Sequence, residues 1–284
     1  MKKRIYLGIF VVLAMSLVLW LGVFAEDTNN VPIREKKVAD ASTTEKKTIY
    51  DIMLNSVDYF STVQGNAIMK LGVEDEVTVQ YKVDMEAAYT SETVRGTETD
   101  IDVIANKDEA IIYNNSAKGF LKGIRTLEKD PIADMNTEER TQEEGGVNVW
   151  YYRDDPTGLV YAKESIFPQE RIFGYLYDFA WWDILGEEIY AERDCWVING
   201  QLEGEYAQKV GICKFTFKVD KKTGCLLAYE GYDASGNLKD YIITDNIIFD
   251  APVVVTYCDE GEYEGYMDWT EAALKSWENV EQSN

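Results

Sequence analysis

The stretch FTFKVDKKTGCLLAYEGYDASGNLKDYIITDNIIF, residues 215–249, decides the architecture. Phe215, Phe217 and Val219 alternate with Thr216 and Lys218, the period-two pattern of a strand with one buried and one wet face. Asp220-Lys221-Lys222-Thr223-Gly224 and Asp233-Ala234-Ser235-Gly236-Asn237 supply the turn chemistry that folds such strands back on themselves. Residues 188–199, 209–219, 225–232 and 238–249 therefore read as four consecutive antiparallel strands.

Upstream the same period recurs. Val77, Val79, Tyr81 and Val83 alternate with polar residues, and further strands are expected over 93–104 and 110–113, with Asn106-Lys107-Asp108 as a turn. Before them, Thr48 can cap a helix carrying Ile49, Ile52, Met53, Val57 and Phe60 at helical spacing. Between the two groups of strands lie a charged stretch, 128–146, read as a surface helix or loop, and a strand over 147–152. The segment FPQERIFGYLYDFAWWDIL, residues 167–185, follows. Pro168 suits a first helical position and Glu170 a first turn, so a helix is expected with Phe173, Leu176, Tyr177, Ala180 and Ile184 on one face. The sum is an α+β domain: a large, mostly antiparallel sheet with a few helices.

The chain has 284 residues, 46% hydrophobic and 28% charged, a globular composition. Lys2-Lys3-Arg4 precede 21 uncharged residues, 5–25, ending in Val23-Phe24-Ala25. That order is expected of a secretory signal peptide, and its length also suits a retained membrane anchor. Residues 26–47 are polar, alternate in charge and read as a tether; 48–258 form the domain, and 259–284 an acidic tail with a short helix after Thr270. Both N-terminal readings place the domain outside the cytoplasm, secreted or membrane-anchored.

With 51 acidic against 28 basic residues the formal charge is −23. Such a surface repels nucleic acid and anionic headgroups, so membrane contact is expected only through 5–25, if retained. There is no histidine, which excludes Ser-His-Asp and Cys-His catalysis and His-ligated zinc. Paired carboxylates such as Asp154-Asp155, Glu187-Glu188, and Asp178 with Asp183, are too many to single out a hydrolase site. No enzyme activity, metal or cofactor is expected. Cys195, Cys213, Cys225 and Cys258 form no CxxC pair; in an exported chain they are expected to be structural, with three pairings open or as buried thiols. Asn114-Asn115-Ser116 matches a glycosylation acceptor.

The order of helix, strands, aromatic helix and four strands carries Trp196-Val197-Ile198, Val219-Asp220-Lys221-Lys222-Thr223-Gly224-Cys225-Leu226-Leu227, Tyr232-Asp233-Ala234-Ser235-Gly236-Asn237 and Asn246-Ile247-Ile248-Phe249. Over about residues 49–255 it resembles the lipoprotein-carrier-like superfamily of LolA, LolB and RseB. That resemblance implies an open, strongly curved sheet, an incomplete barrel, with helices packed on its concave face and a cavity for acyl chains or hydrophobic peptides. No lipobox is present, and the cysteines depart from the pattern. The expected function is a non-enzymatic binding protein that holds an acyl chain or an apolar segment of an extracytoplasmic protein in the concavity. Phe173, Tyr177, Trp181, Trp182, Phe215 and Phe217 are the candidate ligand-binding residues. The alternatives are a cell-surface or envelope-stress interaction domain and a secreted carbohydrate-active enzyme. A core role for the aromatic helix competes with a cavity wall, because six aromatics in ten residues cannot share one helical face.

Overall fold

A computed structural model describes residues 41–125, 130–144, 147–254 and 263–273. The chain enters through α1 (Ala41–Leu54) and a 3-10 turn (Ser56–Asp58). Six strands follow: β1 (Thr62–Lys70), β2 (Val77–Asp84), β3 (Tyr89–Gly96), β4 (Asp100–Ala105), β5 (Glu109–Asn114) and β6 (Gly119–Ile124). An insert then holds a 3-10 turn (Pro131–Asp134), the hairpin β7 (Thr141–Glu144) and β8 (Val147–Trp150), and two short helices, α2 (Lys163–Ile166) and α3 (Gln169–Leu176). The chain returns to the sheet with β9 (Trp182–Tyr190) and β10 (Arg193–Gln201), passes α4 (Gly204–Val210), and adds β11 (Lys214–Asp220), β12 (Leu226–Tyr232) and β13 (Leu238–Phe249). A two-residue strand, β14 (Met267–Asp268), comes last.

Twelve strands form one sheet in the order β14-β6-β5-β4-β3-β2-β1-β13-β12-β11-β10-β9. Every pairing in it is antiparallel except β14 with β6. The sheet is open and curved, so the α+β class and the incomplete barrel are as expected. Each bulge adds a residue to one strand and increases local twist. Four interruptions of register, between β1 and β13, β9 and β10, β11 and β12, and β12 and β13, all lie in the half that wraps the aromatic helix.

Alternation places Val63, Ala67 and Met69 of β1, Val77, Val79, Tyr81 and Val83 of β2, and Phe215, Phe217 and Val219 of β11 on the concave side, all buried. The helices cover this side. In α1, Ile49, Met53 and Leu54 are fully buried in the same core. The Ser165 hydroxyl in α2 donates to the Leu226 carbonyl (2.7 Å), and Ser56 donates to the Ile166 carbonyl (2.6 Å), so the 3-10 turn after α1, α2 and β12 are tied at one corner.

Several expectations need correction. The first helix begins at Ala41, inside the segment read as tether, and Thr48 is an interior residue whose hydroxyl donates back to Thr44. Residues 93–104 form two strands, because Gly96 and Thr99 close a turn between them. In the charged stretch, the described residues 130–144 hold a 3-10 turn and a strand. The aromatic helix stops at Leu176; Asp178 accepts the amide of Ala180 and turns the chain, so Trp182 opens β9. Residues 188–199 are likewise two strands, reversed at Ala191 and Glu192, both at positive φ (48° and 61°). Lys209 lies in α4, and β11 begins only at Lys214.

The tail carries the helix expected after Thr270 but also joins the sheet. Residues 263–273 return to the sheet: Tyr263 stacks on Tyr113 at 3.6 Å, and Met267 pairs beside Gly119, with a helix opening at Thr270. The signal or anchor, residues 26–40 of the tether and Cys258 lie outside the described residues.

The disulfides are not made among the described cysteines. Cys195, Cys213 and Cys225 are free. Cys195 pairs in register with Asp220 of β11, and Cys225 meets Asp220 from the other side. Two inter-strand spacings therefore separate the two cysteines, about 10 Å, beyond the roughly 7 Å between Cα atoms that a disulfide can bridge. Burial pushes the Cys195 thiol up to about 12 and raises Cys225 as well, so both are inert buried thiols.

Candidate functional site

The concave side is where apolar side chains converge, and α3 sits in it. Its eight residues present two aromatic faces. Toward the sheet, Tyr175 meets Phe215 (5.1 Å between centroids), Phe217 (5.6 Å) and Tyr229 (5.9 Å), and Tyr206 from α4 closes the group at 5.9 Å. Phe215 and Phe217 themselves lie 4.7 Å apart. These edge-to-face and offset geometries are those that aromatic quadrupoles favour. Away from the sheet, Phe173 stacks on Trp150 of β8 (5.7 Å) and meets Tyr50 of α1 (6.4 Å) edge-on.

Local sequence makes room for these rings. A Cβ at Gly231 of β12 would collide with the Tyr229 hydroxyl, and one at Gly174 with that of Tyr206. Gly174 thus lets Tyr206 of α4 pack against α3, and Gly231 leaves room for the Tyr229 hydroxyl on its own strand.

Of the six residues singled out in the sequence, Phe215 and Phe217 stand together in the sheet-side layer. Phe173 belongs to the opposite face of α3, toward α1 and β8. Tyr177 and Trp181 are half-buried at the rim, 6.3 Å apart. Trp182 is buried in the corner between β9 and α1, where its indole donates to the Leu176 carbonyl and Lys46 lies over its ring at 5.2 Å. The structure thus divides the six into a sheet layer, a helix outer face, a rim pair and a corner. Tyr175, one of the six aromatics of the run 173–182, joins this layer with Tyr206 and Tyr229, which do not stand out in the sequence; the signal at Tyr229 is the glycine two residues after it.

Polar groups rim the aromatic layer. Arg171 bonds Glu164 (3.0 Å) and lies 4.4 Å above the Tyr229 ring. Burial works against its charge, but Tyr229, Glu164 and Tyr175 outweigh it and hold the guanidinium protonated. Tyr175 and Tyr229 share a hydroxyl hydrogen bond of 2.9 Å, and burial raises both phenols. Glu92, on β3, is buried and accepts the amides of Val160, Tyr161 and Ala162 at 2.6 to 3.2 Å, fixing the start of α2 to the sheet. The Tyr81 hydroxyl of β2 and the Thr244 hydroxyl of β13, both on the concave side, are buried without a hydrogen-bond partner.

Solved structures similar to this chain include an uncharacterized conserved protein from Thermus thermophilus, at 9% identity and a TM-score of 0.40 over 79% of this chain and 98% of that one. The MucA/MucB complex of Pseudomonas aeruginosa matches at 12% identity and 0.41, over 78% of this chain but only 61% of the matched chain. The lipoprotein LppX of Mycobacterium tuberculosis matches at 8% and 0.41, over 76% and 100%. No protein-family model and no curated protein matches the sequence.

Burial raises the carboxyl groups of Glu74, Glu92, Glu170 and Asp240 above their ordinary range, and the neighbouring Glu164 adds to the effect at Glu170. Each binds its proton more tightly folded than unfolded. The stability this contributes is full below the unfolded pKa and is lost as pH rises through the folded one. At Asp75 burial is outweighed by hydrogen bonds, and at Asp233 and Asp268 hydrogen bonds dominate; all three are lowered, and their contribution falls away only below the ordinary 3.8. Thermal unfolding of the purified chain should therefore show a higher Tm at about pH 5 than at about pH 8. A flat profile or the opposite slope contradicts this assignment.

Proposed function

We propose that this chain is an extracytoplasmic, non-enzymatic binding protein that takes an acyl chain or an apolar peptide segment between α3 and strands β11 and β12. The supporting observation is the make-up of that contact: α3 meets the sheet through aromatic rings, around one shared hydroxyl hydrogen bond between Tyr175 and Tyr229. Neither α2 nor α3 has a side-chain cap at its N-terminus, and they span four and eight residues. Short helices draw their stability from packing rather than from their own hydrogen bonds, so a plug of this kind can be exchanged for another apolar body.

Phe215 and Phe217 would form the floor of the site, and Tyr177 and Trp181 its rim. Trp182 and Phe173 would anchor the two ends of the plug. Burying a chain of a dozen carbons is worth roughly 0.8 kcal/mol for each CH₂, enough to offset the ring contacts surrendered and the cost of ordering the ligand. The extracytoplasmic setting rests on the basic and apolar N-terminal sequence.

Native mass spectrometry of the chain purified from its own membranes tests the reading. The expected result is a discrete added mass that organic solvent releases as a lipid or peptide. Repeated spectra of the bare chain, together with no displacement of a bound apolar dye by fatty acid, would overturn it.

A further inference from the structure

The outer side of β6 is covered by the chain's own tail. Tyr263, Tyr266 and Trp269 recur every third residue and are half-buried, while Glu264, Gly265, Met267 and Asp268 between them are exposed. Each ring has its own seat on the β5–β6 hairpin. Tyr263 stacks on Tyr113 of β5, with 10° between the ring planes. Tyr266 meets Tyr113 edge-on at 6.0 Å; its hydroxyl donates to the Asn115 side chain (2.8 Å) and accepts from Lys118 (3.0 Å). Trp269 lies against Gly119 of β6, where any Cβ would collide with the indole.

The main chain is seated as well. The amides of Met267 and Trp269 donate to the carbonyls of Lys118 (3.0 Å) and Phe120 (2.9 Å), and the Lys122 amide donates to the Thr270 hydroxyl (2.9 Å). Residues 118, 120 and 122 of this edge are thus all engaged by the tail, one of the ways in which proteins blunt an edge strand. The fastening is nonetheless slight. β14 is a two-residue parallel ladder, the weaker pairing per residue, and Met267 is 59% exposed. Segments held by so few buried contacts are the first to open. Every seat named here lies within residues 113–122, so one hairpin carries the whole docking site.

We propose that residues 263–270 are an exchangeable strap, a ligand for the docking site formed by Tyr113, Asn115, Gly119 and the outer side of β6, and that a second copy of this chain seats its own strap there. The exchanged pair makes the contacts that one chain already makes with itself, which is the low-cost route to a dimer. A segment tethered to its site competes at an effective concentration of about a millimolar, so a single chain keeps itself closed and exchange waits on release of its own strap. The site lies at the opposite end of the strand order from β11 and β12, so the inference stands apart from the proposed function.

Two full-length variants separate the site from the strap. Gly119→Ala keeps the strap but puts a methyl group where the indole sits; Gly119 has no positive φ, so alanine suits the strand itself. The double variant Tyr266→Ala, Trp269→Ala keeps the site and removes two of the three rings. In sedimentation velocity each variant should be monomeric alone, and an equal mixture should form a one-to-one dimer, because one copy offers a free strap and the other a free site. A ligand closed within its own chain at about millimolar effective concentration binds between chains below about 1 mM, which sets the range to be searched. Hydrogen exchange at the amides of Met267 and Trp269 should quicken in Gly119→Ala alone and slow again in the mixture. Tyr113→Ala, which removes the seat of Tyr263 from a different strand, should behave as Gly119→Ala does, so either variant decides the matter if the other fails to fold. The proposal is overturned by a mixture that stays monomeric up to about 1 mM, by dimers of either variant alone, or by a strap as protected in Gly119→Ala as in the parent.

Discussion

Tyr175→Ala should destabilise the chain by about 3–5 kcal/mol, the usual range for truncating a buried aromatic side chain. The ring touches Tyr206, Phe215, Phe217 and Tyr229 at once, and none of these can collapse into the space without breaking its own contacts. The loss combines a transfer term with a cavity term, and the lost hydroxyl bond leaves Tyr229 short of a partner. The variant should also bind an apolar dye more tightly than the parent, because the plug has been shortened where a ligand would lie. Urea unfolding with unchanged m-value, paired with dye titration, measures both. A loss below about 1 kcal/mol would mean that the layer is not close-packed around Tyr175.

Glu92→Ala acts on the other fastening of the insert. Three consecutive amides, of Val160, Tyr161 and Ala162, converge on one buried carboxylate. Removing it leaves them without an acceptor in a region water does not reach. Losing the buried acceptor should cost about 3–5 kcal/mol. Glu92→Gln should fare little better, since its amide nitrogen turns a donor toward donors. Chemical denaturation of the two variants measures the effect, and a parent-like midpoint for Glu92→Ala would contradict it. Because Glu92 lies on β3 and Tyr175 contacts β11, the two substitutions share no partner and should add.

Legibility in the sequence follows how local the determinants are. The strand over Val77–Asp84 and the turn at Asp220 can be read directly. In the first, apolar and polar residues alternate without interruption; in the second, Asp220 accepts the amides of Lys222 and Thr223 within its own turn. The run from Tyr177 to Trp182 misleads because its aromatics satisfy helical and strand periods equally. What ends α3 is the Asp178 turn, and what starts β9 is Lys46, more than 130 residues away in sequence. The reversal at Ala191 and Glu192 lacks the Asn-Gly or Asp-Gly signal that marks such turns, so the pattern reads as one strand where there are two.

At the site, the aromatic supply is visible in the sequence but its division is not. Phe215 and Phe217 share a face because they are two apart on a strand, whereas Phe173 and Tyr175, two apart on a helix, point to opposite sides. The role of Glu92 rests on a contact between residues nearly seventy apart, which no local pattern announces.

The central claim is that α3 is a plug that yields its place to an apolar ligand. Hydrogen exchange at the amides of α3, against those of β11 and β12, tests it most directly, with the purified chain observed before and after saturation with a long-chain fatty acid. Faster exchange across α3 with unchanged protection in β11 and β12 is the predicted outcome. Unaltered exchange in α3 at saturating fatty acid would contradict the account.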